Sequence, residues 1–391
     1  MQKLFMFEKP LGMRDTLPSL YETKKELRSE LLKGIEQWGY QLIETPTLEY
    51  YDTVGSSSAI ADRQLFKLLD QQGHTLVLRP DMTAPIARVA ASKLLANKNP
   101  LRLAYSANVF RAQQREGGRP AEFEQVGIEC IGDQTLSADA EVIALLVSLL
   151  QNIGLETFAV TVGHIGFVNE LFLETVGNEE RANTLRRFLY EKNFVGYKEH
   201  VKGLPLSSID KQRLLQLLHL RGDENIINDA MQLVDGERGK QLLLELQLVC
   251  EHLRSFGVSR FIKLDLTLLS HMSYYTGLLF EVYADKVGFL LGNGGRYDNL
   301  LSKFHVDAPA TGFGIRIDRL LEALGYCGQE PLIHSVIYSS DNLKRAIEFA
   351  DERRKNGERV ILQDISGLTN VDAYTKSFAQ VSFFIGEQSR S

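Results

Sequence analysis

Two long segments with the composition of β-strands, joined by a short loop, constrain the fold of this chain most. Residues 101–111 (LRLAYSANVFR) and 121–132 (AEFEQVGIECIG) are rich in branched and aromatic side chains, and the loop between them carries Gly, Pro and two Arg. A second hairpin is predicted at LFKLLD and HTLVLRP, around a DQQG turn at residues 70–73. These hairpins favour an antiparallel sheet backed by helices, an α+β core.

Helical spacing of apolar residues predicts the layer that backs the sheet. Helices are expected over residues 20–38, from Thr83 to about Leu95, and from a cap at Ser137 to about Asn152. The Leu-rich stretch from about residue 178 to 256 has no strand signals, which predicts an all-helical insertion.

Strand and glycine signals mix in the last part of the core. VGFLLGNGGRYDNLL is expected to begin as a strand and to break at its glycines, whereas TGFGIRIDRLLEALG (311–325) begins strand-like and passes into a helix that ends at Gly325. After a core over residues 1–325, residues 326–391 are predicted to form a short α/β domain of βαβ character.

Composition excludes several classes of protein. The 391 residues include 44 Lys and Arg against 50 Asp and Glu, a net charge of −6, so the chain lacks the overall basic field of a nucleic-acid-binding protein. Three scattered cysteines without a CxxC pair argue against disulfides and structural zinc. No apolar run reaches the roughly 18 residues of a membrane span, no secretion signal is recognised, and GxGxxG, GxxxxGK[ST] and HExxH motifs are absent. We expect a cytoplasmic protein with no membrane segment, metal or cofactor.

Polar side chains on the second long strand are the first candidates for a functional site. Alternation places Phe123, Gln125, Gly127, Glu129 and Ile131 on one face, so Gln125 and Glu129 project side by side. Gly127 between them predicts room for a small ligand. An acid and an amide at these positions can bind the ammonium group or the ring N–H of such a ligand. The alternative is a polar pair that is satisfied by internal partners.

Two further segments carry polar or aromatic candidates. Asp81 and Thr83 alternate out of the predicted hairpin strand, although either residue can instead cap the helix that follows. The adjacent Tyr274 and Tyr275 are expected to point to opposite faces, which places one of them in the core.

Arginines provide candidate phosphate-binding groups. Arg111 ends the first long strand and Arg119 lies in the loop, and two guanidiniums that face each other across a hairpin suit phosphate oxygens. The alternative pairs both with Glu116, Glu122 or Glu124. The set is extended by two later arginines, Arg296 and Arg319.

Together these segments resemble the catalytic core of the class II aminoacyl-tRNA synthetases, in particular the histidyl-tRNA synthetases. GMRDTLP resembles that family's opening, the helix and strand running into IETP resemble motif 1, the dimerisation element, and VLRPDMTAPIAR resembles the segment that contacts the amino acid. VFRAQQREGGRPAEFEQVGIECIG resembles motif 2, and GNGGRYDNLL and TGFGIRIDRLLEAL resemble the glycine-rich stretch and motif 3. The resemblance covers roughly residues 8–325 and implies the synthetase sheet flanked by helices.

The resemblance also implies roles for individual positions. Amino-acid contacts fall on Asp81 (where the family has Glu), Thr83, Gln125, Glu129 and Tyr274, beside which lies Tyr275. The arginines that contact ATP phosphates in that family fall on Arg111 and Arg319.

Departures from the synthetase pattern bear on function. The histidine signature R-G-L-D-Y-Y reads SHMSYY here, with Ser270 in place of the arginine that touches the carboxylate and α-phosphate, and Ser273 in place of the aspartate. A preorganised group at such a site is typically worth roughly 10²–10³-fold in rate, which a serine does not supply. The motif 2 loop differs as well.

Only 60 residues follow Pro331, with eight Lys and Arg against eight Asp and Glu, so this short neutral tail offers few contacts to the phosphates of tRNA.

A retained pocket with lost chemistry resembles the ATP phosphoribosyltransferase regulatory subunits, a family paralogous to the synthetases. The resemblance implies a non-catalytic chain, with no catalytic residues, that joins a short-form ATP phosphoribosyltransferase catalytic subunit in a hetero-oligomer and supports its activity. It also implies a homodimer through the motif 1-like element, L-histidine as the allosteric effector of histidine biosynthesis, and no tRNA partner. Two alternatives stay open: a minimal active histidyl-tRNA synthetase, and another histidine-adenylating paralogue.

Overall fold

The chain divides into two compact units, each of which is described by itself. The larger unit contains most of the chain up to Tyr326, and the smaller contains the residues after it together with residues 16–23. The computed structural model describes residues 8–95, 100–112, 120–270, 274–285, 287–326 and 332–386.

Helices occupy the stretches in which the sequence has helical spacing. In chain order, those of the described residues are α1 (Pro18–Gln37), α2 (Thr83–Val89), α3 (Leu136–Asn152), α4 (Ile165–Val176), α5 (Glu179–Tyr190), α6 (Phe194–Gly203), α7 (Ser208–Gln216), α8 (Ile226–Met231), α9 (Glu237–Ser255), α10 (Ile317–Leu324), α11 (Leu343–Lys355) and α12 (Val371–Thr375). The prediction over residues 20–38 is confirmed by α1. The helix predicted from Thr83 is confirmed but shorter, because α2 gives way to a π-helical turn over Ala90–Leu94.

Strands fill most of the remaining regular structure. In chain order, those of the described residues are β1 (Gln41–Leu42), β2 (Leu48–Tyr50), β3 (Lys67–Leu69), β4 (Thr75–Leu78), β5 (Leu101–Phe110), β6 (Glu122–Ile131), β7 (Phe158–His164), β8 (Arg221–Gly222), β9 (Ile262–Asp265), β10 (Leu278–Ala284), β11 (Leu290–Arg296), β12 (Ala310–Arg316), β13 (Ile333–Tyr338), β14 (Arg359–Asp364) and β15 (Gln380–Phe384). Both predicted hairpins are confirmed, β3 with β4 and β5 with β6.

Three sequence predictions differ from the structure in detail. α3 is capped by Thr135 rather than by Ser137, because Thr135 has an extended backbone and its hydroxyl accepts a hydrogen bond from the Ala138 amide. The predicted helical insertion contains the two-residue strand β8. The strand β11 does not break at its glycines: a Cβ atom at Gly294 would collide with the Phe280 ring, so glycine is what lets this strand lie against its neighbours.

A single large sheet organises the larger unit. Within the described residues it has nine strands in the order β1-β5-β6-β12-β11-β10-β7-β9-β8. Its ladders are antiparallel except for the pairs β1 with β5 and β7 with β9. The predicted α+β class, with a mainly antiparallel sheet flanked by helices, is confirmed. A small antiparallel sheet, β2-β4-β3, lies in the same unit.

The two faces of the large sheet bury different sets of side chains. Ala104, Val126 and Ile128 belong to the main core, which includes α3 and α9. Their strand neighbours Tyr105 and Phe123 point the other way, into a second cluster that includes residues of α2. Because strand side chains alternate, the candidates Gln125 and Glu129 lie on this second face.

The smaller unit is a parallel α/β fold. β13 lies between β14 and β15 and pairs with both in parallel. Ala346 and Ala350 of α11 are buried against Val336 and Val360 of the sheet. The βαβ character predicted for the tail is confirmed.

Three further features bear on the functional classes. Among the helices of the described residues, none combines the length and apolarity that a membrane span needs. The same residues contain no group of three His, Cys, Asp or Glu side chains placed to hold a metal ion. Cys130 and Cys250 are buried free thiols, and Cys327 lies outside the described residues.

Candidate ligand-binding site

A polar pocket lies on the second face of the large sheet. It encloses about 360 Å³, including its mouth toward solvent. The residues predicted to contact an amino acid all line it, together with one predicted arginine: Asp81, Thr83, Gln125, Glu129, Tyr274, Tyr275 and Arg111. The structure therefore brings together side chains from four separate stretches of sequence.

Two glycines of β12 form the floor of this pocket. Gly312 pairs with Glu129 and Gly314 pairs with Gly127 across the ladder between β12 and β6. A Cβ atom at Gly312 would collide with the Glu129 carboxyl group, and one at Gly314 with the Gln125 amide. These glycines make the space in which the two polar side chains lie.

The space beside Gly127 is filled by protein. Tyr105 pairs with Gly127 in the ladder between β5 and β6, and a Cβ atom at residue 127 would collide with the Tyr105 hydroxyl group. The prediction of room for a ligand at this glycine is wrong in that respect, because the bare position accommodates the Tyr105 phenol. Burial raises the pKa of Tyr105, so the phenol is neutral at the edge of the pocket.

Glu129 is the most deeply buried acid of the pocket, with 2% of its surface exposed. It accepts hydrogen bonds from the Tyr297 hydroxyl and, at 2.8 Å, from Thr83 Oγ1. Burial raises the pKa of the carboxyl group to about 8, against the effect of these bonds, and nearby Asp81 adds to the rise. Burial therefore favours the protonated form of Glu129, and a cationic or N–H-donating ligand would favour its charged form.

Asp81 has two roles in the structure. Its Oδ1 accepts a hydrogen bond from the Ala84 amide at 3.1 Å, and its Oδ2 accepts one from the Ser58 hydroxyl. The capping alternative is therefore confirmed for Asp81, which lines the pocket as well. It is not confirmed for Thr83, whose hydroxyl donates to Glu129.

Gln125 carries an acceptor that the described residues leave unsatisfied. Its Oε1 is fully buried and has no hydrogen-bond partner among them. Leaving a buried polar group unpaired typically costs about 1–3 kcal/mol. The alternative of an internally satisfied pair is therefore not met at this atom within the described residues.

Tyrosines form the wall opposite the sheet. The ring centroid of Tyr274 lies 5.0 Å from that of Tyr275 and 5.6 Å from that of Tyr297, both in edge-on arrangements. The prediction that Tyr274 and Tyr275 point to opposite faces is wrong, because they precede β10 and are not in a strand; both line the pocket. The Asn293 amide donates to the Tyr275 hydroxyl at 3.3 Å. Burial raises the pKa of both tyrosines, which keeps them neutral.

The predicted arginines have different surroundings. Arg111 donates from Nε to the Pro80 carbonyl at 2.9 Å and lines the pocket. Arg319 donates to the Leu290 carbonyl, and its guanidinium lies 5.4 Å from the centroid of the Phe289 ring. Of this set, Arg119 and its alternative partner Glu116 lie outside the described residues.

Arg296 is held on the opposite face of the sheet. Its Nε lies 2.9 Å from Asp139 Oδ2, and its other nitrogens donate to the carbonyls of Asp133 and Thr135. It lies three positions after Asn293 in β11, so alternation points it away from the pocket. The structure therefore brings only Arg111, of the described arginines in the predicted set, to the pocket lining.

Two of the three alternative acidic partners of Arg111 lie within the described residues and contact other side chains. Glu124 lies 3.3 Å from Lys24 and 3.2 Å from Arg28, both of α1, and Glu122 accepts a hydrogen bond from Asn108. Of the alternative partners that the structure describes, Glu122 and Glu124 thus contact other side chains, while Arg111 lines the pocket.

Sequence reasoning missed several residues that line the pocket: Tyr105, Asn293, Tyr297 and Phe313. The register of the long hairpin contained a signal for Tyr105, which stands opposite Gly127. Tyr297 directly follows Arg296 and therefore points to the other face of the sheet. Neither tyrosine was predicted, because aromatic residues in or next to strands usually belong to the hydrophobic core.

Comparison with known proteins relates this geometry to a family. A model of the histidyl-tRNA synthetase family matches residues 12–320, and a model described as the C-terminal domain of histidyl-tRNA synthetase HisZ matches residues 335–386. The chain is 64% identical to the ATP phosphoribosyltransferase regulatory subunit of Geobacillus sp. (strain WCH70) over 385 residues, which cover 98% of each protein. It is 61% identical to that of Bacillus subtilis (strain 168), again over 98% of each.

The chain belongs to the ATP phosphoribosyltransferase regulatory subunits. Membership of this family favours a non-catalytic regulatory subunit over an active synthetase or another adenylating paralogue.

Solved structures agree with this assignment. The regulatory subunit resembles a crystal structure titled as an ATP phosphoribosyltransferase regulatory subunit/histidyl-tRNA synthetase from Bacillus halodurans C, with 57% identity, a TM-score of 0.93, and coverage of 98% of this chain and 100% of that one. It shares its fold with histidyl-tRNA synthetase from Nostoc sp. PCC 7120, with 18% identity, a TM-score of 0.80, and coverage of 96% and 89%.

The altered histidine signature lies beside the pocket in the sequence of this regulatory subunit. Ser270 is the last described residue before the segment that leads to Tyr274, and Ser273 lies outside the described residues. The pocket thus keeps the predicted amino-acid contacts while the position of the signature arginine carries a serine.

Proposed function

We propose that this regulatory subunit senses L-histidine in the pocket around Glu129 and conveys its occupancy to a short-form ATP phosphoribosyltransferase catalytic subunit in a hetero-oligomer. The effect is feedback inhibition of the first step of histidine biosynthesis by the end product. One observation carries the proposal: buried acids, an unsatisfied amide oxygen and an arginine converge on one polar pocket.

The groups of histidine find complementary partners there. The α-ammonium group needs acceptors, which Asp81 and the Gln125 carbonyl supply. The imidazole N–H has an acceptor in Glu129, whose carboxylate form it favours. Arg111 supplies the cation for the α-carboxylate, because a guanidinium grips two oxygens at once. Tyr274 offers a ring face or a hydroxyl group to the imidazole.

Feedback follows if histidine binds the two states of the complex unequally. A ligand shifts an equilibrium only by its difference in affinity between states. Histidine therefore needs to bind the low-activity state of the hetero-oligomer more tightly than the active state, and the catalytic subunit must in return alter the affinity for histidine.

Surface composition supports a homodimer through the motif 1-like element as part of this proposal. Large apolar side chains are exposed along the strands that follow α1, including Leu42, Leu48, Tyr50 and Leu69. Several exposed large apolar side chains in one part of the sequence are compatible with a protein interface. The neutral charge of residues 332–391 supports the absence of tRNA from the set of partners. A cytoplasmic location stays a prediction.

Calorimetric titration of the purified chain with L-histidine tests the pocket. We expect binding by the wild type and a loss of at least about tenfold in affinity for Glu129→Ala, since a hydrogen bond to a charged group is worth about 1.5–3 kcal/mol. Glu251→Ala, at an exposed position of α9, serves as the matched control. An unchanged dissociation constant in Glu129→Ala would move the ligand to another site.

Pyrophosphate exchange separates the regulatory function from its alternatives. Histidine-dependent ATP–pyrophosphate exchange by the isolated chain is expected to be absent. Robust exchange would instead identify an adenylating enzyme. Co-purification of a phosphoribosyltransferase that lacks its own regulatory domain tests the proposed partner directly.

A further inference from the structure

Two guanidinium groups lie over one aromatic ring at the edge of the pocket. The central carbon of the Arg316 guanidinium is 3.8 Å from the centroid of the Phe123 ring, and that of Arg111 is 5.3 Å from it. Phe123 is buried and precedes Gln125 on the same face of β6. Arg111 lines the pocket, whereas Arg316 covers the ring beside it.

Arg316 interrupts a row of bare positions. Alternation places Gly312, Gly314 and Arg316 on the pocket face of β12, and Arg316 pairs with Gln125 in the ladder to β6. The two glycines make room for the side chains of Glu129 and Gln125. The third position instead carries a long cationic side chain, which lies over the Phe123 ring.

Asp318 fixes Arg316 in this position. The carboxylate accepts from Nε at 3.2 Å and from Nη2 at 2.6 Å, a bidentate arrangement in which the Arg316 side chain is 14% exposed. This pair orients the Arg316 guanidinium, whose central carbon lies over the Phe123 ring.

An uncovered ring beside Arg111 would suit a different ligand. Aromatic faces stack well with nucleobases, and an arginine next to such a face can bind the phosphate that joins a nucleoside to an acyl group. ATP or an aminoacyl-adenylate would need the surface that Arg316 occupies. A free amino acid would not.

We infer that Arg316 is a specificity-determining residue, which covers the stacking surface of Phe123 and so restricts the pocket to a free amino acid by excluding nucleotides. The amino-acid part of this inference rests on the proposed function. The exclusion of nucleotides stands on the contacts among Arg316, Asp318 and Phe123.

Nucleotide binding by variants tests this inference. Titration of the full chain with ATP, and with the sulfamoyl-adenosine analogue of histidyl-adenylate, is expected to show no saturable binding by the wild type at millimolar concentration. Arg316→Ala should gain at least about tenfold in affinity for both, as removal of the side chain frees one stacking surface. Arg345→Ala is the matched control, since Arg345 also lies over a ring, that of Phe384 at 5.7 Å, in the smaller unit.

A second variant links the gain to the pocket. The double variant Arg111→Ala/Arg316→Ala should bind nucleotides as weakly as the wild type if Arg111 contacts the nucleotide phosphate. Circular dichroism and the midpoint of thermal unfolding establish that each variant is folded. Nucleotide binding by the wild type, or a folded Arg316→Ala that gains none, would overturn the inference.

Histidine titration of the same proteins keeps this result separate from the proposed function. Arg316→Ala is expected to bind histidine within about threefold of the wild type, a difference of less than 1 kcal/mol. If no variant binds histidine but Arg316→Ala gains ATP, the proposed effector is wrong and the role of Arg316 stands. If histidine binds but no variant changes its affinity for nucleotides, the proposed effector stands and the role inferred for Arg316 is wrong.

Discussion

Glu129 accepts a hydrogen bond from the Tyr297 hydroxyl in a part of the pocket so deeply buried that the pKa of the carboxyl group rises to about 8. Two hydrogen-bond donors do not offset the loss of hydration. This acid therefore links the stability of the empty protein to pH, and a ligand that pairs with the carboxylate form would change that link.

The pH dependence of stability should change when Glu129 is replaced by Gln. Burial raises the pKa of Glu129 from 4.5 to about 8, so the folded state holds a proton that the unfolded state has released. Its contribution to stability is complete below about pH 4.5 and falls as pH rises toward 8, by at most about 1.4 kcal/mol per pH unit. Urea unfolding between pH 5 and 8 should show a steeper decline for the wild type than for Glu129→Gln. Parallel curves would mean that Glu129 is charged in the empty pocket.

Gln125→Met should separate stability from binding. The substitution removes a buried amide oxygen that is unsatisfied among the described residues, at nearly constant volume. We expect the free energy of unfolding to stay the same or to rise by about 1 kcal/mol, and histidine to bind at least about tenfold more weakly. Urea unfolding and calorimetry measure the two effects. A clear loss of stability would show that the Gln125 carbonyl already has a partner in the folded protein.

Alternation along β6 predicted Gln125 and Glu129 correctly as neighbours on one face, because the two-residue period of a strand is local in sequence. Which neighbour fills the gap at Gly127 depends on the partner strand, and Tyr105 occupies it. The arginines show the same limit: nothing near Arg296 in sequence indicates that Asp139 pairs with it from α3. Contacts of this kind depend on the packed fold, and residue type alone does not contain them.

Arg296 should behave as a structural residue rather than as a phosphate-binding one. Its ion pair with Asp139 is buried, so Arg296→Met leaves an acid without its charge partner and is expected to cost about 3–5 kcal/mol. Replacing both residues, in Arg296→Met/Asp139→Leu, should recover much of that loss. Histidine affinity of the folded single variant should stay within about threefold of the wild type. A large loss of affinity without a loss of stability would place Arg296 in the binding site instead.

Ser270→Arg should not restore adenylation. A positioned cation at the reacting phosphate is typically worth roughly 10²–10³-fold in rate, but only for a nucleotide that is bound. In this chain the Arg316 guanidinium covers the ring of Phe123, so we expect no histidine-dependent ATP–pyrophosphate exchange from the single variant. The informative comparison is Ser270→Arg/Arg316→Ala, which removes the obstruction and adds the charge. Exchange by the double variant alone would assign the loss of enzyme activity to both positions, whereas exchange by Ser270→Arg alone would show that Arg316 presents no barrier to ATP.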